Sequence, residues 1–83
     1  MRILYFASLR ERLNKGEEEV TPPTSVATVS DLMDWLAAND EATALAFERR
    51  DVIRTAVDAR IVGPAAPVRN AAVVAFFPPM TGG

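Results

Sequence analysis

The stretch 28–39 of this 83-residue chain admits one local structure, and that choice limits everything around it. Thr28-Val29-Ser30-Asp31 has the spacing of a capping box. In such a box the threonine hydroxyl accepts an orphan backbone N–H and the acidic residue three positions on reaches back to the cap. Val29, Leu32, Met33 and Leu36 then recur at i, i+3, i+4 and i+7, which is one apolar face of an amphipathic helix. Met33 belongs to the core side of that helix and Trp35 to its edge. Asn39-Asp40 ends it.

The other apolar runs are too short for helices of that kind and read as strands. Residues 2–7 form a continuous aromatic-rich run, expected as a buried strand. Residues 8–13 make a helical turn that Asn14-Lys15-Gly16 terminates. Residues 17–21 are either a second strand anchored by Val20 or a solvated loop, because Glu17, Glu18 and Glu19 stand in a row. Pro22-Pro23-Thr24-Ser25 is a loop. Residues 41–50 suggest a second, weaker helix, whose acidic start and Arg49-Arg50 end suit the helix dipole. Strands follow at 53–57 and 61–62, then a loop at 64–67 and a turn at 68–70. The last strand covers 72–77, and Pro78-Pro79 stops it because proline donates nothing to a ladder. Strands around one principal helix predict a single α+β domain over 1–77, with helices on one face of a mixed sheet. Residues 78–83 are expected as an extended, flexible tail beyond it.

The composition narrows the chemistry. The formal net charge is −2 and no cationic stripe is present, so nucleic-acid binding is not expected. The apolar start at 3–9 is too short to span a membrane and runs straight into Arg10-Glu11-Arg12. It also lacks the order of a secretory signal, so the expected location is cytoplasmic and no membrane partner is expected. There is no cysteine and no histidine. Thiol nucleophiles, disulfides, iron–sulfur clusters and the usual zinc sites are thereby removed, together with the commonest general base at neutral pH. No metal and no cofactor bound by this chain is expected. The three glutamates do not make a metal site, because neighbouring side chains on a strand alternate faces.

The end of the sequence has a physical reading of its own. The prolines of Pro78-Pro79-Met80-Thr81-Gly82-Gly83 favour a pre-ordered, extended backbone. Six such residues reach about 20 Å. Gly82 and Gly83 have no side chains, so they thread a narrow channel and tolerate unusual backbone angles. The group delivered is a bare α-carboxylate. A carboxylate is a poor electrophile and must be activated, typically as an acyl-adenylate made from ATP. A sulfur donor then displaces AMP and leaves a thiocarboxylate. The chain has no residues suited to either step, so a carrier role requires partner enzymes. The competing reading is an inert glycine tail, as is common at termini.

The same residues carry a family resemblance. Ala75-Phe76-Phe77-Pro78-Pro79-Met80-Thr81-Gly82-Gly83 resembles the C-terminus of molybdopterin synthase small subunits, the MoaD family. Leu4-Tyr5-Phe6-Ala7-Ser8-Leu9-Arg10-Glu11 looks like their first strand and the turn after it, and Thr28-Val29 and Ala56-Val57 also fit. The resemblance is specific at the two ends and loose over 14–52. It implies a ubiquitin-like β-grasp fold. It also implies that a MoeB-like adenylyltransferase uses ATP to activate Gly83, and that a sulfurtransferase converts the adenylate to a thiocarboxylate. The tail, Pro78, Pro79, Met80, Thr81 and Gly82, then enters a MoaE-like large subunit and gives its sulfur to cyclic pyranopterin monophosphate. Two small and two large subunits are implied. The chain departs from the family at Asp58, where Asn is frequent, and at Asn70-Ala71, where an Asp-Gly turn is frequent. Ala72 and Val73 stand where acidic residues are common.

A partner that receives the tail must also hold the body. Phe76 and Phe77 point to opposite faces of a regular strand, so one enters the core and the other is a docking candidate. Arg10 reads either as part of a solvated charged face or as a partner contact. Sulfur carriers for thiazole synthesis, RNA thiolation or protein conjugation share these features. A β-grasp binding module with an inert tail is the alternative of a different class.

Overall fold

The computed structural model describes residues 1–79. The elements are β1 (Arg2–Tyr5), α1 (Ala7–Leu13), β2 (Glu17–Glu19), α2 (Val29–Asn39), α3 (Glu41–Ala46), a 3-10 turn (Arg50–Val52), β3 (Arg54–Val57), β4 (Arg60–Val62) and β5 (Val73–Phe77). The five strands form one sheet in the order β2-β1-β5-β3-β4. β1 and β5 run parallel, and the other pairs are antiparallel. This is the mixed sheet expected from the sequence.

The core lies on one face of that sheet. Ile3 and Tyr5 of β1, Thr55 of β3, and Val74 and Phe76 of β5 are buried, as are Leu9, Leu13, Val29, Leu32, Met33, Leu36, Ala46 and Phe47 from the helical segments. Phe76 is 0% exposed. Its ring stacks on Tyr5 at 6.2 Å and meets Phe47 at 5.2 Å and a tilt of 58°. Burying side chains of this size stabilises the fold by about 1.5–3 kcal/mol each.

The α2 capping box forms as the sequence predicts. The Thr28 hydroxyl accepts from Asp31 N–H at 3.1 Å, and Asp31 Oδ2 accepts from the N–H groups of Thr28 and Ala27 at 3.2 and 3.0 Å. Asp40 closes α2 and opens α3, accepting from both the N–H and the hydroxyl of Thr43. Thr43 is buried, and that bond satisfies its hydroxyl.

The structure corrects three boundaries, one of them being the second strand, which stops at Glu19 and not at Thr21. The expected helix over 41–50 stops at Ala46. Phe47 leaves the helical path to pack on Phe76, and the arginines expected at the helix end pair elsewhere, Arg49 with Asp51 and Arg50 with Asp34 of α2 at 2.7 Å. The first strand ends at Tyr5 because Ala7 turns the backbone to φ 52° and starts α1. Phe6 keeps one further ladder bond, donating from N–H to the Phe76 carbonyl at 3.1 Å. The glutamate row is a strand. Glu17 and Glu19 face Arg2 on one side, and Glu18 accepts from the Tyr5 hydroxyl at 2.6 Å on the other. Burial, reinforced by that bond to Glu18, pushes the Tyr5 phenol above its ordinary range and keeps it a donor.

The family departures have a local account. Asp58 and Ala59 make the two-residue β3–β4 turn with φ of 46° and 72°, the backbone of a type I′ hairpin. Asp58 Oδ1 accepts from the N–H groups of Ala72 and Val73 at 3.0 and 2.9 Å, tying the hairpin to the start of β5. Asn offers the same oxygen, so the exchange of Asn for Asp preserves both bonds. Asn70, at φ 68°, takes the left-handed position of the turn before β5 and tolerates it better than a branched residue would.

Candidate functional site

β5 is apolar at every position, Val73-Val74-Ala75-Phe76-Phe77, yet the helices cover only alternate residues. Val74 and Phe76 are buried, and Val73, Ala75 and Phe77 are only partly covered. A strand covered on one face ordinarily alternates apolar with polar residues. Here the uncovered face is apolar too, and the register extends the pattern across the sheet. Ala75 lies between Leu4 of β1 and Ala56 of β3, and Ala56 lies opposite Ile61 of β4. Ile61 is 74% exposed and Phe6, at the end of β1, is 46% exposed.

Leu4, Phe6, Ala56, Val73 and Ala75, with the Asp58-Ala59 turn, enclose a shallow depression of about 310 Å³ on this face. By strand alternation exposed Arg2 of β1 and Arg54 of β3 share this face, and exposed Asp58 lies at its turn. An apolar patch with a polar rim is the mark of an interaction surface.

Phe77 shares this face, paired with Arg54 at the end of β5. Phe76 is withdrawn from the list of contact candidates, because its side chain is wholly inside the core. Pro78 and Pro79 follow directly and are partly covered. The chain therefore leaves the sheet at the margin of the uncovered apolar face. Met80, Thr81, Gly82 and Gly83 lie outside the described residues.

Arg10 does not line the apolar depression. It borders a separate cleft of about 470 Å³ with Ala7, Glu11, Asn14, Lys15 and Gly16. Its guanidinium packs so closely on Gly16 that a Cβ there would come within 3.1 Å. Among the described residues no three acidic side chains converge as metal ligands do, and no helix is long and apolar enough to cross a membrane.

Sequence reasoning singled out Phe77 but not Ile61, Ala56 or Ala75. The signal was present in the unbroken apolar runs of β1 and β5, which resemble strands buried on both sides although only one side is covered within this chain.

The comparisons agree with this architecture. The ThiS family model matches residues 3–83. The chain is 35% identical to the molybdopterin synthase sulfur carrier subunit of Escherichia coli, over 100% of this chain and 99% of that protein. It is 30% identical to the protein of the same name from Haemophilus influenzae, with the same coverage. Among solved structures, SAMP1 from Haloferax volcanii superposes with a TM-score of 0.74 at 24% identity, covering 99% of this chain and 97% of that one. At that identity the likeness speaks for the fold alone. A putative molybdopterin converting factor subunit 1 from Pyrococcus furiosus superposes with a TM-score of 0.73 at 27% identity, covering 95% of each chain. The sheet order, the one-sided helix layer and the full-length family match make this chain a ubiquitin-like β-grasp protein that belongs to the ThiS family.

Proposed function

We propose that this chain is the sulfur carrier subunit of a molybdopterin synthase. The observation that carries the reading is full-length likeness to two sulfur carrier subunits, with the family match running to residue 83. The position of Pro78-Pro79, directly after Phe77 on the uncovered face of β5, supports it. A partner seated on that face meets the chain at Pro78-Pro79.

The chemistry is that of an acyl carrier. A carboxylate oxygen of Gly83 attacks the α-phosphorus of ATP on an adenylating partner, and pyrophosphate leaves. Hydrosulfide supplied by a sulfurtransferase system attacks the acyl carbon, the bond to the AMP phosphate oxygen breaks, AMP leaves, and a thiocarboxylate remains. The tail carries it into the large subunit, where sulfur passes to cyclic pyranopterin monophosphate. Two turnovers build a dithiolene. The small subunit binds no cofactor in this scheme. It supplies the reacting atom, the reach and the docking surface, in an assembly of two small and two large subunits.

The test is accurate mass of the C-terminal peptide after incubation with ATP, a sulfur source and an adenylating enzyme proven on another carrier. Replacement of one oxygen by sulfur on Gly83 is the expected result. Met80 oxidation has the same nominal mass change, so fragmentation must place the modification. An unmodified terminus would leave a β-grasp binding module with an inert tail.

A further inference from the structure

Among the described residues Thr43 and Thr55 are the polar side chains buried with the core. Their hydroxyls differ. Thr43 donates to Asp40 Oδ2 at 2.7 Å. Thr55 is only 5% exposed, yet its hydroxyl has no hydrogen-bond partner among the described residues. Enclosing a hydroxyl completely without a partner is unfavourable, and no polar side-chain atom there is left in that state. The Thr55 oxygen therefore opens onto a space from which a partner can reach it.

That space is a cleft of about 270 Å³ on the covered side of the sheet, away from the apolar depression. Thr55 of β3 and Val62 of β4 lie opposite each other in register. Val29 and Met33 of α2 close over them, and Ile53 completes an apolar floor. The start of α2 forms one wall. The Val29 and Ser30 N–H groups donate to the Ala66 and Pro64 carbonyls, both at 2.9 Å, and the Asp31 N–H donates to Thr28. The first N–H groups of the helix are thus engaged within the chain. A free helix start would suit phosphate, but this cleft offers side chains only.

Arg50, Asp51 and Arg54 supply the charge at the rim. Arg50 pairs with Asp34 at 2.7 Å, and Asp51 with Arg49 at 3.2 Å. Arg54 opens β3, at the end of the sheet, where a long side chain borders both faces. Among the described residues it has no carboxylate partner, and its guanidinium donates to the Asp51 carbonyl at 3.4 Å. The sum is one uncompensated cation, an unpartnered hydroxyl and an apolar floor.

We propose that this cleft binds a small apolar monocarboxylate, of the class of branched or aromatic acids. The carboxylate pairs with Arg54 and accepts from the Thr55 hydroxyl, and the hydrocarbon body lies on Met33, Ile53 and Val62. A guanidinium suits a carboxylate because its N–H groups form a planar fork. The volume is just below that of drug-sized sites, so a ligand of few atoms fits and a nucleotide does not. The inference is independent of the carrier reading. A partner seated on the opposite, apolar face leaves the cleft accessible.

The test titrates the full ¹⁵N-labelled chain with 4-methylpentanoate at neutral pH and follows amide shifts by NMR. Saturable shifts are expected at Ser30, Thr55, Val62 and Gly63, with a Kd of about the millimolar order usual for so small a ligand. The neutral 4-methylpentanamide should bind about fivefold more weakly, and so should the acid on Arg54→Gln. Thr55→Val keeps the shape and removes the hydroxyl, and should weaken binding about three- to tenfold. Arg54 is exposed, so Arg54→Gln keeps the proposal testable even if Thr55→Val perturbs the fold. Inorganic phosphate should leave these amides unmoved. The proposal is overturned if the lining amides do not shift saturably, if acid and amide bind equally, or if both variants bind as wild type does. A phosphate response equal to that of the acid would overturn it, as would shifts centred on Leu4 and Ala75 of the other face. Tighter binding of a leucine-terminated tripeptide than of the acid would overturn the assignment to a small molecule.

Discussion

The two faces of β5 have nearly the same composition and opposite fates. Val74 and Phe76 are sealed beneath α1, α2 and the Phe47 ring, whereas Val73, Ala75 and Phe77 look outward with Leu4, Ala56 and Ile61. Both sets are apolar, so composition does not separate them. What separates them is that the first set is covered within this chain. The covered face accounts for folding. The uncovered face accounts for nothing in the isolated molecule, and its solvation is unfavourable. Its apolar character makes physical sense once a second protein covers it, and the exit of the chain at Pro78-Pro79 after Phe77 fits such a cover.

Two substitutions one residue apart test that difference hardest. Phe76→Ala should destabilise the domain by about 3–5 kcal/mol, the cost of emptying a buried aromatic site. For a fold of this size that is a large share of the total. Phe77→Asp should cost far less stability, about 1 kcal/mol, and should instead weaken binding to the large subunit at least tenfold, about 1.4 kcal/mol. Urea denaturation measures the first quantity and calorimetric titration the second. If Phe77→Asp unfolds the protein as readily as Phe76→Ala, or binds unchanged, the two faces do not differ in the way argued.

How far the sequence revealed this depends on the range of the interactions involved. α2 was legible because its cap and apolar face are set within a few residues, from Thr28 to Leu36. The end of α3 was not, because Phe47 departs to reach Phe76, a partner 29 positions away that no local pattern announces. The glutamate strand was ambiguous for the same reason. Glu17 and Glu19 acquire their place from Arg2, and Glu18 from Tyr5, across the β1–β2 pairing. The tail reading rested on residue types alone, since glycine and proline act through the backbone, and Met80 to Gly83 lie outside the described residues. The uncovered apolar face was half legible. Two-fold alternation predicted that one of Phe76 and Phe77 faces out, but only the register joins Leu4, Ala75, Ala56 and Ile61 into one row.

A milder change sharpens the comparison at the rim of the open face. Ala59 holds φ 72° in the β3–β4 turn, a left-handed position that costs a residue with a Cβ about 1–2 kcal/mol. Ala59→Gly relieves that strain but gives the unfolded chain more freedom, a loss of about 0.4–1 kcal/mol. The net expectation is a gain of about 0.5–1 kcal/mol, read as a raised urea midpoint with unchanged slope. Because Ala59 only borders the depression, affinity for the large subunit should stay the same. A fall in affinity would place the turn itself in the contact.

The smallest effect concerns the covering layer, and acid should loosen it selectively. Backbone bonds from Ala27 and Thr28 hold the Asp31 carboxyl below the ordinary range, against the opposing effect of desolvation. The hydroxyl and N–H of Thr43 do the same for Asp40, and the guanidinium of Arg49 does so for Asp51. A carboxyl whose folded pKa is depressed contributes stability that is fully present above its unfolded value, about 4, and is lost as pH falls through the folded one. The melting temperature should therefore be level from pH 7 to about 5 and decline below about 4. Asp31→Asn should sit lower than wild type at pH 7 and decline less steeply in acid, since it has no proton to gain. Asp31 and Asp40 cap the helices over the core, on the other side of the sheet from the exposed apolar row. Thermal unfolding of wild type and Asp31→Asn between pH 7 and 2.5 decides the matter: parallel curves would mean that the α2 cap is not what acid removes.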